Sequence, residues 1–173
     1  VIITFFIPGV PTPGGSKRAF VLKNGAGQII TRPNGAPAVV ITDAAGKKNK
    51  EWKQQCAVFA KQNYSGAPLT GPLKVTFEFY RTRPKAHFRS NGQIKESFAN
   101  EYPTTKPDVT KLIRAAEDAM TGILWIDDSQ IVRQISGKSY SDTPGLYITV
   151  EELSTQQPPG TTVLAPQAAL AGV

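Results

Sequence analysis

The chain has 173 residues, one cysteine, 40% hydrophobic residues, and 20 Lys and Arg against 13 Asp and Glu, for a formal net charge of +7. That length can bury a real core without disulfides or metals, and a lone thiol excludes an intrachain disulfide, which fits a reducing cytoplasm. The cationic excess favours a polyanionic partner over a small neutral one, no apolar run approaches the roughly 20 residues of a membrane span, and no secretory signal is apparent.

Residues 1–7 read as a strand buried on both faces, since Thr4 is the only polar side chain among them. The stretch from Pro8 to Arg18 breaks that pattern. Its prolines prevent ladder pairing, its glycines allow close approach to another surface, and Ser16, Lys17 and Arg18 at its end can present amides and two cations to phosphate. Residues 19–22 and 28–31 flank Lys23-Asn24-Gly25-Ala26-Gly27 and read as a hairpin, with a second turn over 32–37 and a short strand over 38–42. Asp43 then caps a helix running to about Tyr64. Trp52, Cys56, Phe59, Ala60 and Asn63 mark its inner face, so Cys56 is a packed thiol. Lys47, Lys48, Lys50, Lys53 and Lys61 mark the outer face, which is ordinary solvated surface unless it lies beside an acidic site.

Residues 73–80 alternate cleanly, with Leu73, Val75, Phe77 and Phe79 inward. Residues 81–106 have no sustained period. They carry Arg81, Arg83, Lys85, Arg89, Lys95 and Lys106 interleaved with His87, Phe88, Phe98 and Tyr102, a mixture suited to phosphates and unstacked bases. His87, the only histidine, is expected at the surface. Residues 131–140 and 146–152 read as a hairpin around Ser141-Asp142-Thr143-Pro144-Gly145, with Lys138 pointing toward a cleft. From residue 154 the chain has no charged side chain and reads as a flexible tail.

The informative stretch is 106–130, KPDVTKLIRAAEDAMTGILWIDDSQ. Val109, Leu112, Ile113, Ala116 and Met120 fall on one apolar stripe at the 3.6-residue period. Pro107 and Asp108 suit the entrance of that helix and Gly122 its exit. The segment holds five carboxylates: Asp108, Glu117, Asp118, Asp127 and Asp128. Two adjacent aspartates ending an apolar run repel each other when ionised, and a divalent cation or nearby basic side chains would relieve that. Read from spacing alone, Asp108 is equally a helix cap and the Asp127-Asp128 pair a solvated turn.

Pro107, Asp108, Leu112, Arg114, Asp118, Ala119, Gly122, Trp125, Asp127, Asp128, Gln130 and Ile131 together resemble the core motif of the RusA family of Holliday-junction resolvases. The resemblance implies a small homodimer, often encoded by phages, that cuts four-way DNA junctions symmetrically with magnesium or manganese held by aspartates. Asp108 matches the first catalytic aspartate and Asp128 the last, with Asp127 and Asp118 at further acidic positions. Two departures stand out: Thr110 replaces the second family aspartate, and Arg114 replaces the family lysine. The hydroxyl is a neutral, weaker ligand, so either the metal is held by fewer charges or Glu117 or Asp118 turns inward to replace it. Arg114 keeps the positive charge and adds a planar fork suited to phosphate.

The expected fold is α+β, a mixed sheet with two main helices packed against it, with an endonuclease domain over 1–153 and a tail over 154–173. The expected metal set is Asp108, Asp118, Asp127 and Asp128, with Arg114 and Lys111 stabilising charge on the phosphate. Lys17, Arg18, Arg81, Arg83, Lys85, Arg89, Lys111 and Lys138 are expected to contact DNA, in the cytoplasm of a cell or of a phage host. The rival reading is a nucleic-acid-binding protein whose catalytic site has decayed at Thr110.

Overall fold

The computed structural model describes residues 1–15, 17–43 and 46–154, without the side chains of Lys17, Arg18, Thr42 and Asp43. The main sheet contains β1 (Ile2–Pro8), β4 (Leu73–Arg81), β5 (Ile131–Tyr140) and β6 (Gly145–Glu152) in the order β1-β6-β4-β5. β6 runs antiparallel to both neighbours, whereas β4 and β5 are parallel, so the sheet is mixed. β2 (Lys17–Val21) and β3 (Val39–Asp43) form a separate two-stranded ribbon. Helices α1 (Gly46–Asn63) and α2 (Val109–Met120) pack against one face of the main sheet. This is the expected α+β architecture. Among the described residues no helix is long and apolar enough to cross a membrane.

The alternation in β4 is the clearest link from sequence to packing. Leu73, Val75, Phe77 and Phe79 are fully buried, while the residues between them stay half-buried on the far face. They meet Ile3, Phe5 and Ile7 of β1, Leu146, Ile148 and Val150 of β6, and Leu112, Ala115, Ala116 and Met120 of α2 in one core. Each such large side chain contributes on the order of 1.5–3 kcal/mol by leaving water. The expectation that β1 is buried on both faces is corrected, because helices cover only one side of the sheet and Ile2 is 71% exposed.

The strand pairings differ from the sequence reading in two places. β5 and β6 do not form a hairpin. The crossover through α2 lays β5 parallel beside β4, and the chain then steps over β4 to enter between β4 and β1. A crossover helix is the usual way to join parallel strands, and turn residues at 141–145 do not reveal which strand lies across them. Likewise, residues 19–21 pair with 39–41 rather than with 28–31, leaving Lys23↔Ile29 as an isolated bridge. Asp43, expected as a helix cap, ends β3, its side chain not being among those described, and α1 runs from Gly46 to Asn63; the tail from residue 155 lies outside the described residues.

One polar side chain holds the turn that carries Asp127 and Asp128. After α2, Gly122 adopts φ 78, a left-handed conformation that favours glycine, and its amide donates to the Trp125 carbonyl at 2.7 Å. Asp128–Gln130 then forms a short 3-10 turn. The Gln130 carboxamide oxygen accepts from the Ile126 and Asp127 amides at 2.9 and 3.0 Å, and its nitrogen donates to the Leu69 and Gly71 carbonyls at 2.9 and 3.0 Å. Gln130→Ala removes all four bonds and should cost about 2–6 kcal/mol in urea denaturation, since each net bond contributes about 0.5–1.5 kcal/mol. A loss below about 0.5 kcal/mol would show that the turn holds without it.

Candidate active site

α2 fixes where the acidic residues point. Its buried stripe packs into the core, leaving Thr110, Arg114, Glu117, Asp118 and Thr121 on the opposite side. Successive helical positions differ by about 100°, so neighbouring Glu117 and Asp118 diverge. Glu117 turns to β5, where Gln134 Nε2 donates to its Oε1 at 2.6 Å. Asp118 turns to α1, where Lys53 Nζ lies 2.6 Å from its Oδ2. Of the two acids able to replace the missing carboxylate at Thr110, Glu117 therefore faces β5 and Asp118 is paired with a lysine.

The electrostatics agree with that placement. Glu117 is pushed above the usual carboxylate range, first by burial and next by the negative charge of Asp128. The Gln134 hydrogen bond and the Arg114 guanidinium pull the other way, and Asp118 adds to the upward push. Asp128 itself is exposed on the 3-10 turn. Asp127 has a different task, because its side chain accepts the Ser129 amide at 2.9 Å and closes a reciprocal cap with Gln130. Hydrogen bonding from the Ser129 side chain and then its amide holds the Asp127 carboxyl below the usual range.

Asp108 sits at the N-cap position of α2 with an extended backbone, yet its side chain makes no capping hydrogen bond. Its Oδ2 instead lies 3.7 Å from Lys111 Nζ, and both side chains are more than half exposed. Nine residues separate it from Glu117, a rise of roughly 13 Å along a helix. Near that end of α2, Lys138 of β5 donates to the Thr105 and Pro107 carbonyls at 2.8 and 3.1 Å. The loop after β1 also docks here, with the Gly14 amide donating to the Lys111 carbonyl at 2.7 Å. A Cβ on Gly14 would lie 3.3 Å from the Ala115 nitrogen and 3.4 Å from Arg114 Cγ, so the close approach expected of this glycine is to α2.

Among the described residues no three Asp, Glu, His or Cys side chains are grouped to hold a metal. The Glu117 and Asp128 pair nonetheless suits a hard cation. Both are oxygen donors, and the charged form of Glu117 is disfavoured first by burial and next by the negative charge of Asp128. Magnesium commonly takes one or two carboxylates and fills its remaining positions with water and phosphate oxygens.

The expected DNA-contact residues occupy varied settings. Arg83 donates to the Phe98 and Ala99 carbonyls at 2.7 and 3.0 Å and lies over the Tyr140 ring, while Arg81 donates to the Lys106 carbonyl at 2.8 Å. Both guanidinium groups pin the 81–106 loop. Lys85, Arg89 and Lys111 are exposed, and the side chains of Lys17 and Arg18 lie outside the described residues. His87 is buried rather than superficial, stacked on Phe98 at 4.2 Å with its edge contacting Tyr140. Sequence reasoning did not single out Gln134, and named Lys53 only within a lysine face of interest if beside an acidic site, which is where Asp118 meets it. Their roles arise from which faces of β5 and α1 meet α2, and neither has a local signal.

The acidic residues thus lie where a crossover helix meets the edge strand β5 of a basic α+β domain. Residues 12–151 match the family model for Endodeoxyribonuclease RusA. The chain belongs to that family, whose members act on branched DNA junctions, and membership implies Holliday-junction resolvase nuclease activity. A similar curated protein is the "Uncharacterized protein YqaN" of Bacillus subtilis (strain 168), 34% identical over 110 residues that span 62% of this chain and 76% of the relative.

Two outcomes follow from the placement of the acids. Asp108→Ala should leave the urea midpoint nearly unchanged, whereas a capping aspartate would cost about 1 kcal/mol. Glu117 binds its proton more tightly when folded than unfolded, so its ionisation lowers stability as pH rises from the ordinary glutamate value of about 4.5 through the raised folded value. Glu117→Gln, which can keep the Gln134 contact through its carbonyl oxygen, should remove that decline in a series of melts across pH. An unchanged slope would show that Glu117 is not the strained group.

Proposed function

We propose that this chain hydrolyses the backbone of branched DNA, four-way junctions foremost, as a homodimer that uses magnesium or manganese. The observation that carries the reading is the match of residues 12–151 to the RusA endodeoxyribonuclease family, supported by a half-buried Glu117 that Gln134 holds on the α2–β5 side. In this arrangement Glu117 and Asp128 hold the ion, while Asp118 and Asp127 act mainly as the Lys53 partner and the turn cap. When bound, the ion supplies polarisation of the scissile phosphate and a lowered pKa for the attacking water.

The chain's own residues do the positioning. Gln134 fixes the Glu117 carboxylate by its hydrogen bond. Arg114, on the same exposed side of α2, offers a planar set of donors to phosphate oxygens and stabilises the negative charge that builds there during attack. Asp108, uncommitted to capping, is the further carboxylate that the family motif brings to the reaction, with Lys111 beside it. Lys85 and Arg89 meet the flanking backbone. Symmetric resolution needs two cuts, and a two-fold dimer supplies two equivalent sites on opposed strands.

Thr110 favours a second reading, a junction-binding protein without cleavage, because a hydroxyl stands where the family places a carboxylate. Synthetic four-way junctions incubated with magnesium, manganese or EDTA separate the two. Wild type should cut in either metal and not in EDTA. Asp128→Asn should slow cleavage by about 100-fold or more, the scale of losing one group that stabilises transition-state charge, while junction binding in EDTA stays nearly unchanged. A wild-type protein that shifts junctions without cutting them in either metal establishes the binding reading instead.

A further inference from the structure

The β2–β3 ribbon stands apart from the main sheet and exposes apolar side chains on both faces. Phe20 pairs with Val40 and is 52% exposed, while Ile41, paired with Ala19 on the opposite face, is 66% exposed. Val21, Leu22 and Ile30 are also at least 40% exposed. A two-stranded ribbon is marginal alone, and an apolar surface of this kind marks a contact with something else. The outer part of the ribbon is nevertheless ordered. The Leu22 amide donates to the Ala38 carbonyl, Ala38 to Ile30, and Ile30 back to Leu22, at 2.8, 2.8 and 2.9 Å. This closed ring presents the apolar residues on a firm support.

Charge selects the occupant. Residues 17–43, which span the ribbon, contain four basic side chains against the single acidic Asp43 at its base, and Lys23 and Arg32 toward its tip are exposed. A second copy meeting this surface through its own ribbon would set cations against cations, whereas DNA supplies the complementary charge. The two-sided apolar character also suits insertion better than a flat protein contact, since apolar wedges enter between base steps and a two-stranded ribbon fits the major groove.

We propose that the β2–β3 ribbon is a DNA wedge that inserts at the branch point, Phe20 and Ile41 contacting unstacked bases while Lys23 and Arg32 meet the adjoining phosphates. This rests on the reading of branched DNA as the substrate and adds the element that would recognise the branch. The ribbon lies outside the proposed acidic centre, so binding and cutting are separable.

The test uses the full chain in EDTA, with fluorescence anisotropy on a fixed four-way junction and on linear duplex, and 2-aminopurine placed at the branch. Wild type should prefer the junction and raise the 2-aminopurine signal. Phe20→Ala and Ile41→Ala should each weaken junction binding about 10-fold, within the range of losing one base-stacking contact, abolish the signal and leave duplex binding unaltered. Phe20→Leu should retain most of both. Unchanged junction binding, equal losses on duplex and junction, or conversion of a dimer to a monomer in sedimentation would each overturn the wedge. A silent fluorophore with an enzyme that still cuts junctions overturns the wedge alone. Branch unstacking by a protein that never cuts supports the wedge and overturns the nuclease.

Discussion

Burial of one stripe of α2 is the constraint on which the site depends. Leu112, Ala115, Ala116 and Met120 are fully buried, and with them in the core the helix has a single permitted rotation. That rotation places Asp118 against Lys53, points Glu117 at Gln134, and leaves Arg114 exposed. Truncating Leu112 would typically cost 2–5 kcal/mol, and it would also release the rotation that sorts the acids. Packing and function are therefore coupled through one helix face rather than through residues at the site itself.

A run of five carboxylates is not five equivalent ligands. Asp118 has its charge answered at 2.6 Å, and Asp127 has its oxygen occupied by the turn it caps. What remains is a half-buried glutamate beside an exposed aspartate, together with Asp108 one helix length away. Paired charge lowers the demand for a cation, whereas partly desolvated like charges raise it. The preference for Glu117 and Asp128 as the ion-holding pair follows from that difference. The sequence reading considered Glu117 only as a possible replacement for the missing acid.

Period and composition made legible whatever depends on local spacing. The strand Leu73–Arg81, the helix Val109–Met120 and its left-handed exit at Gly122 were all readable because alternation, a 3.6-residue stripe and a backbone requirement each leave a mark in consecutive residues. Pairing partners leave no such mark. Residues 131–140 and 145–152 look like hairpin strands, yet Val75 pairs with Gln134 on one side and Val150 on the other. The same limit hid Gln134 and the pairing of Lys53 with Asp118, which matter only because of the helix or strand face opposite them. At Asp108 the sequence was ambiguous in kind, since a capping aspartate and an uncommitted one are identical in composition; only the missing side-chain bond distinguishes them.

Counting cations along the 81–106 segment misjudges how DNA would be met. Arg81 and Arg83 hold backbone carbonyls across the loop, and Lys95 donates to the Ala86 carbonyl at 2.7 Å. With His87 stacked on Phe98, they turn an irregular stretch into an ordered one. A guanidinium has five donors, so pinning the loop does not remove its charge; it fixes where that charge sits. Exposed Lys85 and Arg89 then project from a rigid support, and less side-chain and loop entropy is lost when a phosphate arrives. On the proposed reading such preorganisation matters more than net charge, because the scissile bond would have to reach Glu117 and Asp128 in a defined register, and ordered contacts on either side would set it.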